Sequence, residues 1–181
     1  MRQILSLSWV YELPFGKGKA VASGVGGVAN AIIGGWKFGG IGSFQSGHYL
    51  TPTDSVNNSN AGGSRPDIIG PVNGFDHASK DAMLKQYFNT SSFKRAQQYT
   101  FGNAGTGTVQ GPGIAIVDLS FYKDFRISES KRIQLRGELF NSLNHANFAD
   151  PNVSFGTANF GLITSNSTPA REIQLGLRFD F

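Results

Sequence analysis

Cysteine is absent from this 181-residue chain. Its absence excludes disulfide scaffolds, thiolate zinc sites, iron–sulfur clusters and cysteine nucleophiles. Charge is scarce: Asp, Glu, Lys and Arg make up 15% of the residues, against about a quarter in soluble domains. The net charge of +4 is dispersed. The longest basic cluster, Lys17-Gly-Lys19, is too small for a nucleic-acid footprint. No apolar run approaches the roughly 18 residues of a transmembrane helix. No secretory leader is visible, because Met1-Arg-Gln runs straight into an alternating segment. The expectation is therefore a piece of a longer protein. Glycine (24) and phenylalanine (15) are plentiful, a composition of strands and turns.

Five segments alternate apolar and polar residues with the period of a strand. In residues 2–13, Leu5, Leu7, Trp9, Tyr11 and Leu13 oppose Ile4, Ser6, Ser8, Val10 and Glu12. In 36–46, Trp36, Phe38 and Phe44 share a face with Gly40 and Gly42, and Ile41 is the misfit among Lys37, Gly39, Ser43 and Gln45. In 114–125, Val117, Leu119, Phe121 and Phe125 oppose Asp118, Ser120, Tyr122 and Asp124, with Lys123 on the greasy face, its stem able to snorkel. In 131–141, Ile133, Leu135, Gly137 and Leu139 oppose Arg132, Gln134, Arg136 and Glu138. In 171–181, Ile173, Leu175, Leu177, Phe179 and Phe181 oppose Glu172, Gln174, Gly176, Arg178 and Asp180. Between them, 14–35 contains a short helical turn, 47–113 reads as a long polar connection with a helix over 77–88, 126–130 as a tight turn, and 142–170 as a second long connection.

Alternation alone fits either a soluble sandwich or a strand facing lipid. Three features favour lipid. Four of the segments run about 10 to 12 residues, matching the ~9–11 that a tilted transmembrane strand needs. If the carboxyl end lies on the periplasmic side, the 126–130 turn falls inside and both long connections fall outside, leaving 14–35 as the one long inner connection. Aromatic residues then gather at the inner end of the apolar face: Trp9, Tyr11, Trp36, Phe38, Phe121 and Phe125, with Phe179 and Phe181. The expected fold is all-β: antiparallel up-and-down strands forming an open section of a transmembrane barrel, with Leu5, Leu7, Leu119, Leu135, Leu175 and Leu177 toward lipid. A soluble extracellular all-β binding or adhesion domain is the alternative, with 47–113 as its contact surface.

A set of short stretches carries a resemblance. In order they are Tyr11-Glu-Leu-Pro-Phe-Gly-Lys-Gly-Lys19, Gly34-Gly-Trp-Lys-Phe-Gly-Gly-Ile41 with Gln45-Ser-Gly47, Arg65-Pro-Asp67, Phe101-Gly-Asn103, Gly111-Pro-Gly113, Phe140-Asn-Ser-Leu-Asn-His145 with Asn147-Phe148, and Asn159-Phe-Gly161. Together they resemble the C-terminal end of TonB-dependent outer-membrane transporters of the Oar-like group. The resemblance implies that residues 1–181 form the last part of a barrel whose plug and earlier strands lie elsewhere. It implies energy-coupled uptake of a bulky ligand across the bacterial outer membrane. Its partners would be membrane lipid, the rest of the barrel and its plug, the barrel-assembly machinery and the TonB complex. Gln174, Gly176, Phe179 and Phe181 resemble the terminal signal read by that machinery.

Other chemistry finds no pattern. Gly16-Lys-Gly-Lys19 lacks the spacing of a phosphate loop. His48, His77 and His145 share no ligand spacing and read as loop histidines. Asp54, Asn57, Asn58, Asn60 and Asp67 lack the spacing of a calcium loop and read as an exposed polar loop. No nucleophile elbow occurs. Arg132 with Glu138 and Glu172 reads as part of an ion-pair ladder rather than an acid/base set. No catalytic residue, metal site, cofactor or nucleic-acid partner is expected, and the protein is not expected to be an enzyme.

Overall fold

The computed structural model describes residues 3–128 and 130–181. Arg2, in the first alternating segment, and Glu129, in the 126–130 turn, lie outside the described residues. The five alternating segments are five strands: β1 (Ile4–Glu12), β2 (Trp36–Gln45), β3 (Ile114–Arg126), β4 (Arg132–Phe140) and β5 (Glu172–Asp180). They hydrogen-bond in chain order as one five-stranded sheet, β1-β2-β3-β4-β5. β3 and β4 pair antiparallel, as do β4 and β5. The Leu13 amide donates to the Trp36 carbonyl at 2.9 Å and the Ser46 amide to the Gln3 carbonyl at 3.0 Å, so β1 and β2 also run in opposite directions. The sheet is open, with β1 and β5 at its edges.

The chain divides into two compact units. The sheet unit is Leu5–Phe44, Ala115–Ala146 and Pro169–Phe181. In the 14–35 connection it forms the expected helical turn, α1 (Gly27–Ile33). The other unit combines Met1–Ile4, Gln45–Ile114 and Asn147–Thr168.

This second unit gives the long polar connection read at 47–113 a buried core of its own. Val72, Phe88, Phe93 and Val109 form a buried core, with Leu50, Ile68, Val153, Phe155 and Phe160 packed against it. Seven of the chain's fifteen phenylalanines lie in the two long connections. Phe88, Phe93, Phe155 and Phe160 meet edge to face at 5.1–5.6 Å between centroids, the favoured geometry for aromatic pairs. The backbones join as well. Ser154–Phe155 pairs parallel with Thr53–Asp54, and the Tyr87 amide donates to the Gly161 carbonyl at 2.8 Å. A core assembled from segments a hundred residues apart leaves no local period to read.

Two details differ for the same reason. The helix is α2 (Lys80–Lys85), shorter than 77–88. Ser79 caps it, its hydroxyl accepting from the Ala82 amide at 3.1 Å. The chain turns extended at Gln86, which releases Phe88 into the core. Asp54 is not an exposed loop residue. Its side chain is fully buried and accepts from Arg95 Nε and Nη2 at 3.1–3.2 Å and from the Val56 amide at 2.9 Å.

Replacing Phe88 by Ala is expected to cost about 3–5 kcal/mol in this core. Limited proteolysis of the refolded chain will then cut faster within 47–113, and an unchanged cleavage rate contradicts this account of the second unit.

Candidate membrane-facing surface and polar ladder

Register fixes which side chains share a face. Across β3, β4 and β5 the rows are Leu119–Leu139–Ile173, Phe121–Gly137–Leu175, Lys123–Leu135–Leu177 and Phe125–Ile133–Phe179. Every row but one is wholly apolar, and in these rows the residues that alternation put on one side of each strand do share a side. On β5 this face is bare: Leu175 is 77% exposed and Leu177 73%. Leu5 and Leu7 on β1 are also exposed. Soluble monomers rarely leave an apolar surface this continuous uncovered.

Aromatic residues cluster toward the end of the sheet that carries the 126–130 turn. Phe38 packs on Phe121 at 5.0 Å between centroids. Two residues along β2, Gly40 lies beneath the Trp9 indole, which occupies the space a Cβ would need. Tyr11 lies two residues beyond Trp9 on the same strand face. Trp36 begins β2, and its indole N–H donates to the Ile32 carbonyl of α1 at 3.0 Å. Phe181 follows β5 and stacks on Phe179 at 5.7 Å. The aromatic line therefore crosses the register rows obliquely, from Phe179 and Phe125 up to Trp9.

Among the described residues Lys123 is the one charge on the apolar face, and it is 1% exposed. It does not snorkel to water. Its ammonium donates to the Gly34 carbonyl and sits 5.2 Å from the Trp36 ring and 5.1 Å from the Phe125 ring. The 14–35 connection thus supplies the acceptor, and two rings supply the negative faces that a buried cation needs.

The opposite face carries the polar rows Ser120–Glu138–Gln174, Tyr122–Arg136–Gly176 and Asp124–Gln134–Arg178, with Arg132 opposite Asp180. Arg132 Nε lies 2.6 Å from Asp180, and Arg178 reaches the same carboxylate at 2.8 Å. Arg136 pairs with Glu138 and lies over the Tyr122 ring at 5.3 Å. Gln134 donates to Asp124 at 2.9 Å, and Lys37 reaches Asp124 at 3.6 Å. The ladder expected from the sequence forms, with Asp180 rather than Glu138 or Glu172 as the partner of Arg132. Gln174 and Gly176 lie on this face, opposite Glu138 and Arg136.

The stretches that carry the sequence resemblance are partners in space. Asn103 is held by the Asp67 carboxylate at 2.9 Å and by the Ile68 amide at 2.6 Å, so Arg65-Pro-Asp67 and Phe101-Gly-Asn103 grip each other. Gly102 passes so close to the Arg65 and Pro66 carbonyls that any Cβ would collide. Gly47 meets Gly111 in the same way, which joins Gln45-Ser-Gly47 to Gly111-Pro-Gly113. Asn141 holds the Phe140–His145 corner, donating to the His145 carbonyl at 3.0 Å and accepting from the His145 amide at 3.0 Å.

Sequence reasoning did not single out two further groupings, both in the second unit. His48 pairs with Asp150 at 2.9 Å. Phe75, His77 and Tyr87 form a ring cluster, with centroids 5.2 Å apart for Phe75–His77 and 6.4 Å for His77–Tyr87. Burial, with the nearby Asp150 carboxylate, pushes the Tyr87 phenol above its usual range, so it stays protonated. The only sequence signal was aromatic density in a connection otherwise rich in Asn, Ser and Gly.

Lys123→Met strands the buried Gly34 carbonyl and is expected to cost about 1–3 kcal/mol. Urea unfolding in detergent micelles measures it, and a variant as stable as the parent removes the proposed role of that contact.

No curated protein and no solved structure matches the chain. The profile of the outer membrane beta barrel domain family matches residues 1–174. That match decides between the two neighbours open to the apolar face. The chain is part of a membrane barrel in the bacterial outer membrane, and it belongs to the outer membrane beta barrel domain family.

Proposed function

We propose that the chain forms the C-terminal arc of the barrel of a TonB-dependent transporter of the Oar-like group, with a transport rather than a catalytic role. The observation that carries this is the pairing of the resembling stretches. Segments that match by order in the sequence hold one another in the fold, as Arg65-Pro-Asp67 holds Phe101-Gly-Asn103. They behave as one inherited architecture rather than as scattered short matches.

In this reading the bare face, with Leu5, Leu7, Leu119, Leu135, Leu175 and Leu177, meets the acyl chains. The ion-paired face lines a wet lumen, where Arg132, Arg136, Arg178, Glu138 and Asp180 keep their charges. Trp9, Tyr11, Trp36, Phe38, Phe121 and Phe125 form the aromatic belt at the periplasmic interface. Transmembrane strands tilt by about 35–45°, so a level belt cuts obliquely across register rows, as these residues do. Five strands cannot close a barrel, the smallest of which have about eight. The β1 and β5 edges would pair with strands of the same receptor, whose plug couples to TonB. Gln174, Gly176, Phe179 and Phe181 would present the last strand to the barrel-assembly machinery.

Two outcomes are expected. Leu175→Arg places a charge at mid-strand on the lipid face. It should cost about 2–4 kcal/mol and deplete heat-resistant assembled barrel in the outer membrane; wild-type levels of assembled barrel count against a lipid-facing Leu175. For the complete receptor in cells, ligand accumulation should stop on disruption of TonB or on collapse of the proton gradient. Accumulation that persists under both conditions overturns the TonB-dependent assignment.

A further inference from the structure

The second unit contains an open cavity of about 410 Å³, within the roughly 300–1,000 Å³ typical of small-molecule sites. Phe75, His77 and Tyr87 line it together with the buried Phe88. Among the described residues that line it, none is Asp, Glu, Lys or Arg. An anionic ligand, such as a phosphate, a carboxylate or an anionic metal chelate, finds no Lys or Arg counter-charge there, and the nearby Asp150 carboxylate, paired with His48 at 2.9 Å, adds to its exclusion.

The polar groups present are directional. His77 Nε2 lies 2.8 Å from the Gln86 carbonyl, which can only accept, so Nε2–H donates to it and Nδ1 is the ring nitrogen left for a ligand. The Tyr87 phenol stays protonated because burial and Asp150 raise its pKa. Asn73 is locked by the Thr108 carbonyl at 2.8 Å and the Gln110 amide at 2.9 Å. That fixes the stretch carrying Gln110, whose residue is exposed at the cavity. Four glycines, Gly47, Gly74, Gly111 and Gly113, also line the cavity and leave backbone within reach of a ligand.

Aromatic faces beside amide, phenol and imidazole groups suit a molecule that has apolar C–H faces and a rim of hydroxyls. We propose that this cavity is a binding site for a neutral sugar. A pyranose ring stacks against Tyr87 or Phe75, and its hydroxyls bond to His77 Nδ1 and the Gln110 carboxamide. The inference names a ligand class for the transporter and rests on that reading for its biological use, though binding itself does not require transport.

The test is isothermal titration of the whole chain, folded in detergent micelles, with maltose, cellobiose and lactose in turn. At least one is expected to bind. Phe75→Ala and Gln110→Ala alter exposed positions, and each is expected to weaken binding severalfold with strand content unchanged. Tyr87→Ala is expected to weaken it by about tenfold or more, as for an aromatic anchor. The inference is overturned if none of the three sugars binds. It is equally overturned if Phe75→Ala and Gln110→Ala leave affinity unchanged, or if tetramethylammonium binds the same residues more tightly than any of these sugars, which marks a cation cage instead. Sugar binding without TonB-dependent uptake leaves the site standing and removes the transporter reading. Uptake of another ligand with no sugar bound does the reverse.

Discussion

The sheet unit depends on a period of two held in register over long strands. Leu177 lies opposite Leu135, and the next residue along, Arg178, lies opposite Gln134. A slip of one residue would turn every apolar side chain of β5 to the lumen and put Arg178 and Asp180 on the lipid side. Near the interface Arg178 adds only about 0–1 kcal/mol, but the slip would also take Ile173, Leu175 and Leu177 out of the apolar face at about 25 cal/mol per Å² of apolar surface, so the slipped pairing is disfavoured before any hydrogen bond is counted. Lipid also offers no partner for backbone amides, so each strand must satisfy them laterally. The two requirements together explain why the strands are long and why the two outer strands imply neighbours.

The departures from the pattern are each compensated nearby. Lys123 would be intolerable on a lipid face if its charge were bare. The Gly34 carbonyl and the Trp36 and Phe125 rings enclose it, and the 14–35 connection is thereby tied to β3. That connection is the one long link at the turn end of the sheet, and this contact gives its length a structural use. On the other face, Asp180 joins Arg132 and Arg178, so the charges of neighbouring strands are matched rather than stacked alike.

Legibility followed distance along the chain. The strands, their faces and the Lys123 exception were all visible, because side chains at i and i+2 carry that information locally. The short α1 turn was visible too. The second unit was not. Its core brings Phe88 and Phe93 against Phe155 and Phe160, with more than sixty residues between the pairs, and nothing within either segment marks them as partners. Asp54 was misread for the same reason, since Arg95 lies 41 residues away. The lipid assignment itself lay beyond alternation, which a soluble sandwich shares. Strand length and aromatic placement tilted the balance, and family membership decided it.

The absence of cysteine makes the central claim directly measurable. Single cysteines placed in turn at 173 to 178, spin-labelled in bilayers, report accessibility to oxygen dissolved in lipid and to a nickel chelate dissolved in water. The account predicts that oxygen accessibility peaks at 173, 175 and 177 and that nickel accessibility peaks at 174, 176 and 178. Equal access of the nickel chelate to both sets would contradict a strand with lipid on one side and a wet lumen on the other.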